Sequence, residues 1–168
     1  NLPSIITALH PTPAVCGMPK EKALELGIKV FQPRKIKEDY EAITSLNPDL
    51  IITAAYGQLI PNQVLECARL GAINVHGSLL PLLRGGAPIQ RAIERRHKKT
   101  GITIMYMAQK MDSGDLISQR EIAIDDAETS GTLFEKMSLV GTALLMDTLP
   151  SIFDGTNKRI PQDISKVT

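Results

Sequence analysis

The sequence predicts an α/β fold in which helices cover a doubly wound, mainly parallel sheet. Two observations predict this class. First, short apolar segments typical of strands alternate with amphipathic segments typical of helices along residues 20–96. Second, residues 50–55 (LIITAA) form a near-continuous apolar run, as expected of a central parallel strand buried on both faces. Together they favour a Rossmann-like architecture, and the 168 residues suffice for one domain with a sizeable core.

The first elements are predicted as follows. Residues 1–9 carry apolar side chains at helical spacing, and no strand is predicted before them. Residues 13–16 predict a short strand. The later elements of this half are a helix at 20–27, a strand at 28–32, a helix at 35–46, the strand at 50–55, a short helix at 61–65, a strand at 72–76 and a helix near 87–96.

The pattern changes after Gly101. Strands are predicted at 102–107 and 116–124, with a turn at 112–115 between them. Residues 129–153 predict a long amphipathic helix that Thr129 or Ser130 can cap, with Gly155 beyond its end. Residues 156–168 are polar and without periodicity. The apolar stripe of the long helix is predicted to face the core and comprises Leu133, Phe134, Met137, Val140, Leu144, Leu145 and Leu149.

Composition limits the possible functions. The formal net charge is +1, so the chain lacks the strong basic field that dominates non-specific nucleic-acid binding. No apolar run is long enough to span a bilayer, and we expect no membrane partner. Cys16 and Cys67 fit neither a disulfide framework nor a metal pattern, so we interpret both as buried thiols in a reducing cytosol. Three scattered histidines predict no zinc site, and the absence of G-x-G-x-x-G leaves a dinucleotide site without support.

The stretch around the strand at 72–76 predicts a functional site. Asn74 and His76 are separated by one position, so on an extended chain they point to the same face. Ligands of open α/β folds bind at the carboxyl ends of the strands, where this polar pair lies. A loop over residues 77–86 follows, and Pro88 then suits the first turn of a helix.

Four blocks of sequence occur in order: NVHGSLLP at 74–81, RGGAPI at 84–89, TGIT at 100–103 and MDSGD at 111–115. They closely resemble the folate-dependent formyltransferases, and among them the enzymes that act on methionyl-tRNA. The resemblance implies the formyltransferase fold, with residues 1–155 as a catalytic domain that is incomplete at its N-terminus, where the family's usual first strand is expected to be missing. It also implies that residues 156–168 begin a linker to an absent C-terminal β domain that helps to bind tRNA.

The resemblance also implies roles for individual residues. A formyl transfer needs a donor for the developing oxyanion and a base for the attacking amine. Asn74 matches the oxyanion donor, His76 the group that moves the proton and polarises the carbonyl, and Asp112 the carboxylate that orients His76 and an ordered water. The remaining matches are a folate-contacting loop at Ser78, Leu79, Leu80 and Pro81, and an acceptor-contacting segment at Arg84, Gly85 and Gly86, whose glycines are nearly as well explained as a turn.

The implied function is transfer of a formyl group from 10-formyltetrahydrofolate to initiator methionyl-tRNA during translation initiation. We expect a cytoplasmic, bacterial-type monomer that uses this folate donor and no metal. Three alternatives remain open: formyl transfer to a small amine such as glycinamide ribonucleotide or an amino-sugar nucleotide, hydrolysis of 10-formyltetrahydrofolate, and a non-catalytic folate- or nucleotide-binding module.

Overall fold

The computed structural model describes residues 4–6 and 20–168, which belong to two compact units. The smaller unit comprises the chain up to Pro48 together with Tyr56–Ala68. The larger unit comprises Asp49–Ala55 and Arg69–Thr168, and it contains every residue of the predicted site.

Among its described residues, the smaller unit contains a two-stranded parallel sheet and three short helical segments. Strand β1 (Ser4–Ile6) pairs in parallel with β2 (Lys29–Phe31), and the described part of helix α1 covers residues 20–25. Helices α2 (Glu41–Thr44) and α3 (Asn62–Leu65) follow. The side chains of this unit that are buried most completely are Ala23, Ile36, Ile43 and Val64.

Two predictions for the smaller unit are wrong. The helical spacing of residues 1–9 is misleading at Ser4–Ile6, where the backbone joins a ladder with β2, because a short apolar run fits a strand as well as a helix. The helix predicted at 35–46 is broken. The Lys35 carbonyl accepts the N–H groups of Glu38 and Asp39 in an isolated turn, and only the four residues of α2 form a helix. The strand predicted at 13–16 lies outside the described residues.

The thiol of Cys67 is free and half-buried, where the sequence predicted a fully buried one. It donates to the Val64 carbonyl at 3.2 Å. Burial raises the pKa of the Cys67 thiol, which favours the inert neutral form. Cys16 lies outside the described residues.

The larger unit is built on a four-stranded sheet of order β3-β4-β5-β6. Its strands are β3 (Ile51–Ala54), β4 (Ala72–His76), β5 (Lys99–Tyr106) and β6 (Leu116–Ala123). β3 and β4 are parallel, whereas β5 is antiparallel to both of its neighbours. Helix α4 (Pro88–Glu94) lies between β4 and β5 in the chain, helix α5 (Ser130–Phe153) follows β6, and a 3-10 turn covers Ile164–Lys166.

The α/β class is confirmed, with a sheet that is mixed instead of mainly parallel. The short connection between β5 and β6 accounts for part of the difference, since parallel neighbours need a crossover of a dozen or more residues. The expectation of a strand buried on both faces is wrong for β3, which forms an edge of this sheet and leaves Ile52 44% exposed. The prediction that the fold lacks a first strand stays a prediction.

Helix α5 packs the apolar core of the larger unit against the sheet. Thr129 caps it: its hydroxyl accepts the Thr132 N–H at 3.2 Å, and the Thr132 hydroxyl accepts the Thr129 N–H at 3.0 Å. The prediction for Phe134 is wrong, because this side chain is 57% exposed one step around the helix from the buried line. The buried residues of α5 are Leu133, Met137, Gly141, Leu144, Thr148 and Ile152.

Among the described residues, none of the helices combines the length and the apolar character needed to cross a membrane.

Candidate active site

Strand β4 supplies the amide and the imidazole of the site. Because successive residues of a strand alternate between its faces, Asn74 and His76 share one face, as predicted. In the ladder with β5, Asn74 stands opposite Met105 and His76 opposite Thr103. His76 ends the strand and is 6% exposed, so its ring is held among protein atoms at the point where the loop leaves the sheet.

Two contacts define the state of the His76 ring. Its Nε2 lies 3.2 Å from the Leu83 carbonyl oxygen, and its Nδ1 lies 3.7 Å from Asp112 Oδ1. A carbonyl oxygen only accepts, so Nε2 carries a proton and the neutral ring has its lone pair on Nδ1. Nδ1 is therefore the ring nitrogen that faces the Asp112 carboxylate.

Asp112 is held in an uncommon backbone conformation. Its φ of +50° lies in the left-handed region, which aspartate tolerates better than most residues other than glycine. Its Oδ2 accepts the Gly85 N–H at 2.7 Å, and its side chain is 12% exposed. The Gly85 N–H and the His76 ring thus lie against different oxygens of the Asp112 carboxylate. Through these contacts the loop after β5 meets the loop after β4.

Thr53 of β3 orients the Asn74 amide, a contact that the sequence analysis missed. The Thr53 hydroxyl lies 2.8 Å from Asn74 Oδ1, its nearest acceptor. With the oxygen of the amide occupied in this way, Nδ2 remains as a donor, and it has no hydrogen-bond partner among the described residues. The parallel register, in which Thr53 pairs with Asn74, is the only feature that could have revealed this contact.

The loop over residues 77–86 is held by polar side chains of β5 and β6. The Thr103 hydroxyl donates to the Ser78 carbonyl at 2.6 Å and accepts the Leu80 N–H at 3.1 Å. Gln119 donates from Nε2 to the Leu80 carbonyl and to Thr103, at 2.9 Å each. These bonds fix the backbone of the loop from beneath, since both Thr103 and Ser78 are fully buried.

The four residues expected to contact folate differ in what they present. The Ser78 hydroxyl donates to the Leu82 carbonyl at 2.6 Å, and Leu80 is buried in a small apolar cluster with residues of β5 and β6. Both of these side chains are therefore occupied within the protein. Leu79 and Pro81 are half-buried, while Leu82 of the same loop is 37% exposed.

Two glycines of the resembling blocks are required by close approach. A Cβ on Gly101 would lie 2.3 Å from the Arg120 carbonyl oxygen and 2.5 Å from a methyl carbon of Leu79. A Cβ on Gly114 would lie 1.9 Å from the Tyr106 carbonyl oxygen. Real side chains do not occupy such positions, so both glycines allow the site loops to pack directly on the sheet.

Arg84 does not meet His76 or Asp112 through its side chain. It donates from Nε and Nη2 to Gln162 Oε1, at 3.2 and 2.6 Å. Gln162 in turn donates to the backbone carbonyls of Asp112 and Gly114, at 2.9 and 2.8 Å. Gly85 joins the site through its backbone, and Gly86 is exposed. Gln162 was missed because the sequence around it has no periodicity.

An amide, an imidazole and a carboxylate thus lie near the carboxyl end of strand β4 in an α/β fold. In the comparison with known families, residues 7–149 match the family described as formyl transferase. The chain belongs to the formyl transferase family.

Over the matched residues, two curated relatives are about 50% identical to this chain. The methionyl-tRNA formyltransferase of Lysinibacillus sphaericus is 54% identical over 151 residues, which are 89% of this chain and 48% of that protein. The methionyl-tRNA formyltransferase of Ligilactobacillus salivarius is 49% identical over 161 residues, 95% of this chain and 49% of that protein. The chain therefore spans about half the length of the curated relatives it matches.

Solved structures of other formyltransferases share the fold. A formyltransferase from Anoxybacillus kamchatkensis, in complex with a UDP-formamido sugar and tetrahydrofolate, is 28% identical with a TM-score of 0.71, over 95% of this chain and 82% of that one. Phosphoribosylglycinamide formyltransferase from Bacillus halodurans is 26% identical with a TM-score of 0.74, over 89% of this chain and 79% of that one.

Proposed function

We propose that the intact protein transfers the formyl group of 10-formyltetrahydrofolate to the amino group of initiator methionyl-tRNA, in the cytoplasm of a bacterial cell. The observation that carries the proposal is the approach of Asp112 Oδ1 to His76 Nδ1, 3.7 Å apart at the end of β4. The names of the relatives, at about 50% identity, support this acceptor over others.

Asn74 acts on the formyl oxygen. When the amine adds to the formyl carbon, the carbonyl oxygen gains negative charge and needs a fixed donor. Thr53 holds the Asn74 oxygen, so Nδ2 is the atom that donates to the oxyanion. A neutral amide stabilises the charge without bringing a counter-ion that would bind the ground state equally well.

His76 acts on the proton of the amine. Its Nδ1 accepts the proton that the attacking nitrogen loses, since Nε2 is already engaged with the Leu83 carbonyl. The imidazolium then stands beside the Asp112 carboxylate, which stabilises it and holds the ring in place. The same proton is available for the N10 nitrogen of tetrahydrofolate as the bond from that nitrogen to the formyl carbon breaks.

The loop residues provide the surfaces for the two substrates. We propose that Leu79, Pro81 and the exposed Leu82 offer apolar area to the folate rings, while the Ser78 and Leu80 positions contribute through the backbone. Arg84 and the two glycines after it line the approach of the acceptor. In this proposal residues 1–155 are the catalytic domain, residues 156–168 begin a linker, and other parts of the intact protein hold the tRNA.

One competing acceptor class is favoured by a specific observation. The Anoxybacillus kamchatkensis relative has a UDP-formamido sugar and tetrahydrofolate bound, so an amino-sugar nucleotide belongs among the candidates. The identity to that protein is 28%, against 54% to the Lysinibacillus sphaericus enzyme.

The test gives the intact protein 10-formyltetrahydrofolate together with charged initiator tRNA, glycinamide ribonucleotide, an amino-sugar nucleotide or water alone, in parallel reactions. Mass spectrometry should detect formylmethionyl-tRNA as the dominant product, and Asn74→Ala should lower its rate about 100–1000-fold. Ser165→Ala changes an exposed side chain whose hydroxyl bonds to Asp163, and it should leave the rate unchanged. A formylated small amine, or formate released regardless of acceptor, would contradict the proposed acceptor, and folate binding without turnover would identify a binding module.

A further inference from the structure

The tail after α5 is fastened across the site loops. Ile160 exchanges two backbone hydrogen bonds with Leu116 at the start of β6, at 2.8 and 3.0 Å. Farther along, the Thr168 hydroxyl accepts the Leu83 N–H at 2.9 Å and its carbonyl accepts the Arg84 N–H at 3.0 Å. Gln162 lies between these two attachments, so its backbone is anchored on both sides.

All the hydrogen-bonding capacity of the Gln162 amide is used. Oε1 receives two N–H groups of Arg84, and Nε2 gives its two protons to the carbonyls of Asp112 and Gly114. An amide offers two acceptor sites and two donor protons, so none of them remains for solvent. A solvent-exposed tail residue would not be saturated in this way by chance contacts with two separate loops.

From this geometry we infer that Gln162 is a positioning residue of the formyl transfer site, which ties Arg84 to the loop that carries Asp112. The inference rests on the proposed function. Gln162 donates to the Asp112 backbone carbonyl, and the Gly85 N–H donates to the Asp112 carboxylate. Together these two hydrogen bonds fix the side chain that faces His76. The same amide sets the direction in which the Arg84 guanidinium points.

The backbone conformation of Asp112 explains why the loop needs the hydrogen bonds from Gln162. A residue other than glycine at φ +50° is strained, and such strain persists only when the surroundings hold it. Without Gln162, the Asp112 side chain would keep its bond from Gly85, but the Asp112 and Gly114 carbonyls would lose their side-chain donor, and local bonds such as that of Ser113 to the Lys110 carbonyl would be left to hold the loop. The carboxylate would then sample positions away from His76 Nδ1.

Amide hydrogen exchange tests the connection without reference to activity. The Gly85 N–H is bonded to Asp112 Oδ2, so its exchange rate reports how firmly that carboxylate is held. In the intact protein, Gln162→Met keeps the length of the side chain but removes all four bonds, and it should speed Gly85 exchange roughly tenfold. Ser165→Ala, which removes only a bond to Asp163 in the same tail, should change nothing. Unchanged Gly85 exchange in Gln162→Met would overturn the inference.

Kinetics distinguish the contact of the Gln162 amide oxygen with Arg84 from the contacts of its nitrogen with the Asp112 and Gly114 carbonyls. Gln162→Glu can still accept from Arg84 but cannot donate to the Asp112 and Gly114 carbonyls, so it should lower kcat about tenfold to a hundredfold and leave the KM for the acceptor unchanged. Gln162→Met should lower kcat similarly and also raise the acceptor KM several-fold, with the KM for the folate donor unaffected in both variants. A merely structural role would lower stability and change kcat, the KM for the acceptor and the KM for the folate donor together.

The two hypotheses fail in different ways. If the unaltered protein transfers no formyl group, the proposed function is wrong, while Gly85 exchange still decides whether Gln162 holds Asp112. If the unaltered protein is active and both Gln162 variants match it in kcat, only the positioning role is refuted.

Discussion

The loop over residues 77–86 and helix α5 are held against the same sheet by different forces. The loop is fixed by individual polar bonds from Thr103, Gln119 and the tail, each to one backbone atom. The 24-residue helix is fixed by a line of buried apolar side chains that includes Leu133 and Met137. Apolar packing is non-directional and spread over many contacts, whereas a hydrogen bond specifies one atom at one distance.

This difference suits the two regions to different tasks. A group-transfer site requires donors and a base at defined positions, and polar bonds from rigid strands supply that precision. The core requires stability, and apolar burial supplies most of it. Substitutions in the helix should therefore change stability with little effect on kinetics, and substitutions beneath the loop should change both.

Leu133→Ala should have the largest effect on stability. Leu133 is fully buried in the core of the larger unit, so its truncation should lower the free energy of unfolding by about 2–5 kcal/mol. Urea unfolding measures this, with kcat at saturating substrate expected to stay near its original value. Phe134→Ala is the matched control, because that neighbouring side chain is largely exposed and should change stability by about 0.5 kcal/mol or less. Equal effects at both positions would refute the assignment of the buried line.

Thr103→Val should show the second largest loss of stability and a loss of activity as well. The isosteric change leaves the Leu80 N–H without its acceptor and the Ser78 carbonyl without its donor, in a fully buried place. Unfolding free energy should fall by about 1–3 kcal/mol. In contrast with Leu133→Ala, kcat should also fall, because the loop that is proposed to contact the substrates would shift. Full activity in a destabilised Thr103→Val protein would break the distinction between the two regions.

Much of the site strand and of α5 could be predicted, because their signals are local. Alternation on β4 put Asn74 and His76 on one face, and apolar periodicity with a threonine cap predicted α5 almost to the residue. Thr53 and Gln162 could not be predicted. Their partners are 21 and 50 residues away, and only the strand register and the path of the tail bring them together.

The errors have the same origin. Phe134 fits the apolar stripe of α5 by residue type, but its exposure depends on how far the sheet reaches around the helix. The helix predicted at 35–46 is interrupted by the isolated turn at Lys35, and the Ile36 N–H there donates to the side chain of Gln58, at 3.0 Å, in a later part of the chain. Local patterns do not contain such contacts.

Thr129→Ala should have the smallest of these effects. It removes the hydroxyl that accepts the Thr132 N–H at the start of α5 and should lower the unfolding free energy by about 1 kcal/mol. Thr129→Ser keeps the acceptor and should recover most of the loss in the same urea titration. If Ser and Ala proved equally destabilising, the cap would contribute nothing and apolar packing alone would hold the helix end.

In the proposed function His76 and Asp112 act on one proton as a unit, and a double-mutant cycle on formyl transfer measures the coupling between them. His76→Ala alone should lower kcat roughly 100–10,000-fold, as for other general bases. Residues that work as a unit are strongly non-additive, so adding Asp112→Ala to His76→Ala should lower the rate little further. If the two losses instead multiply, the carboxylate and the imidazole act independently, and the site does not work as described.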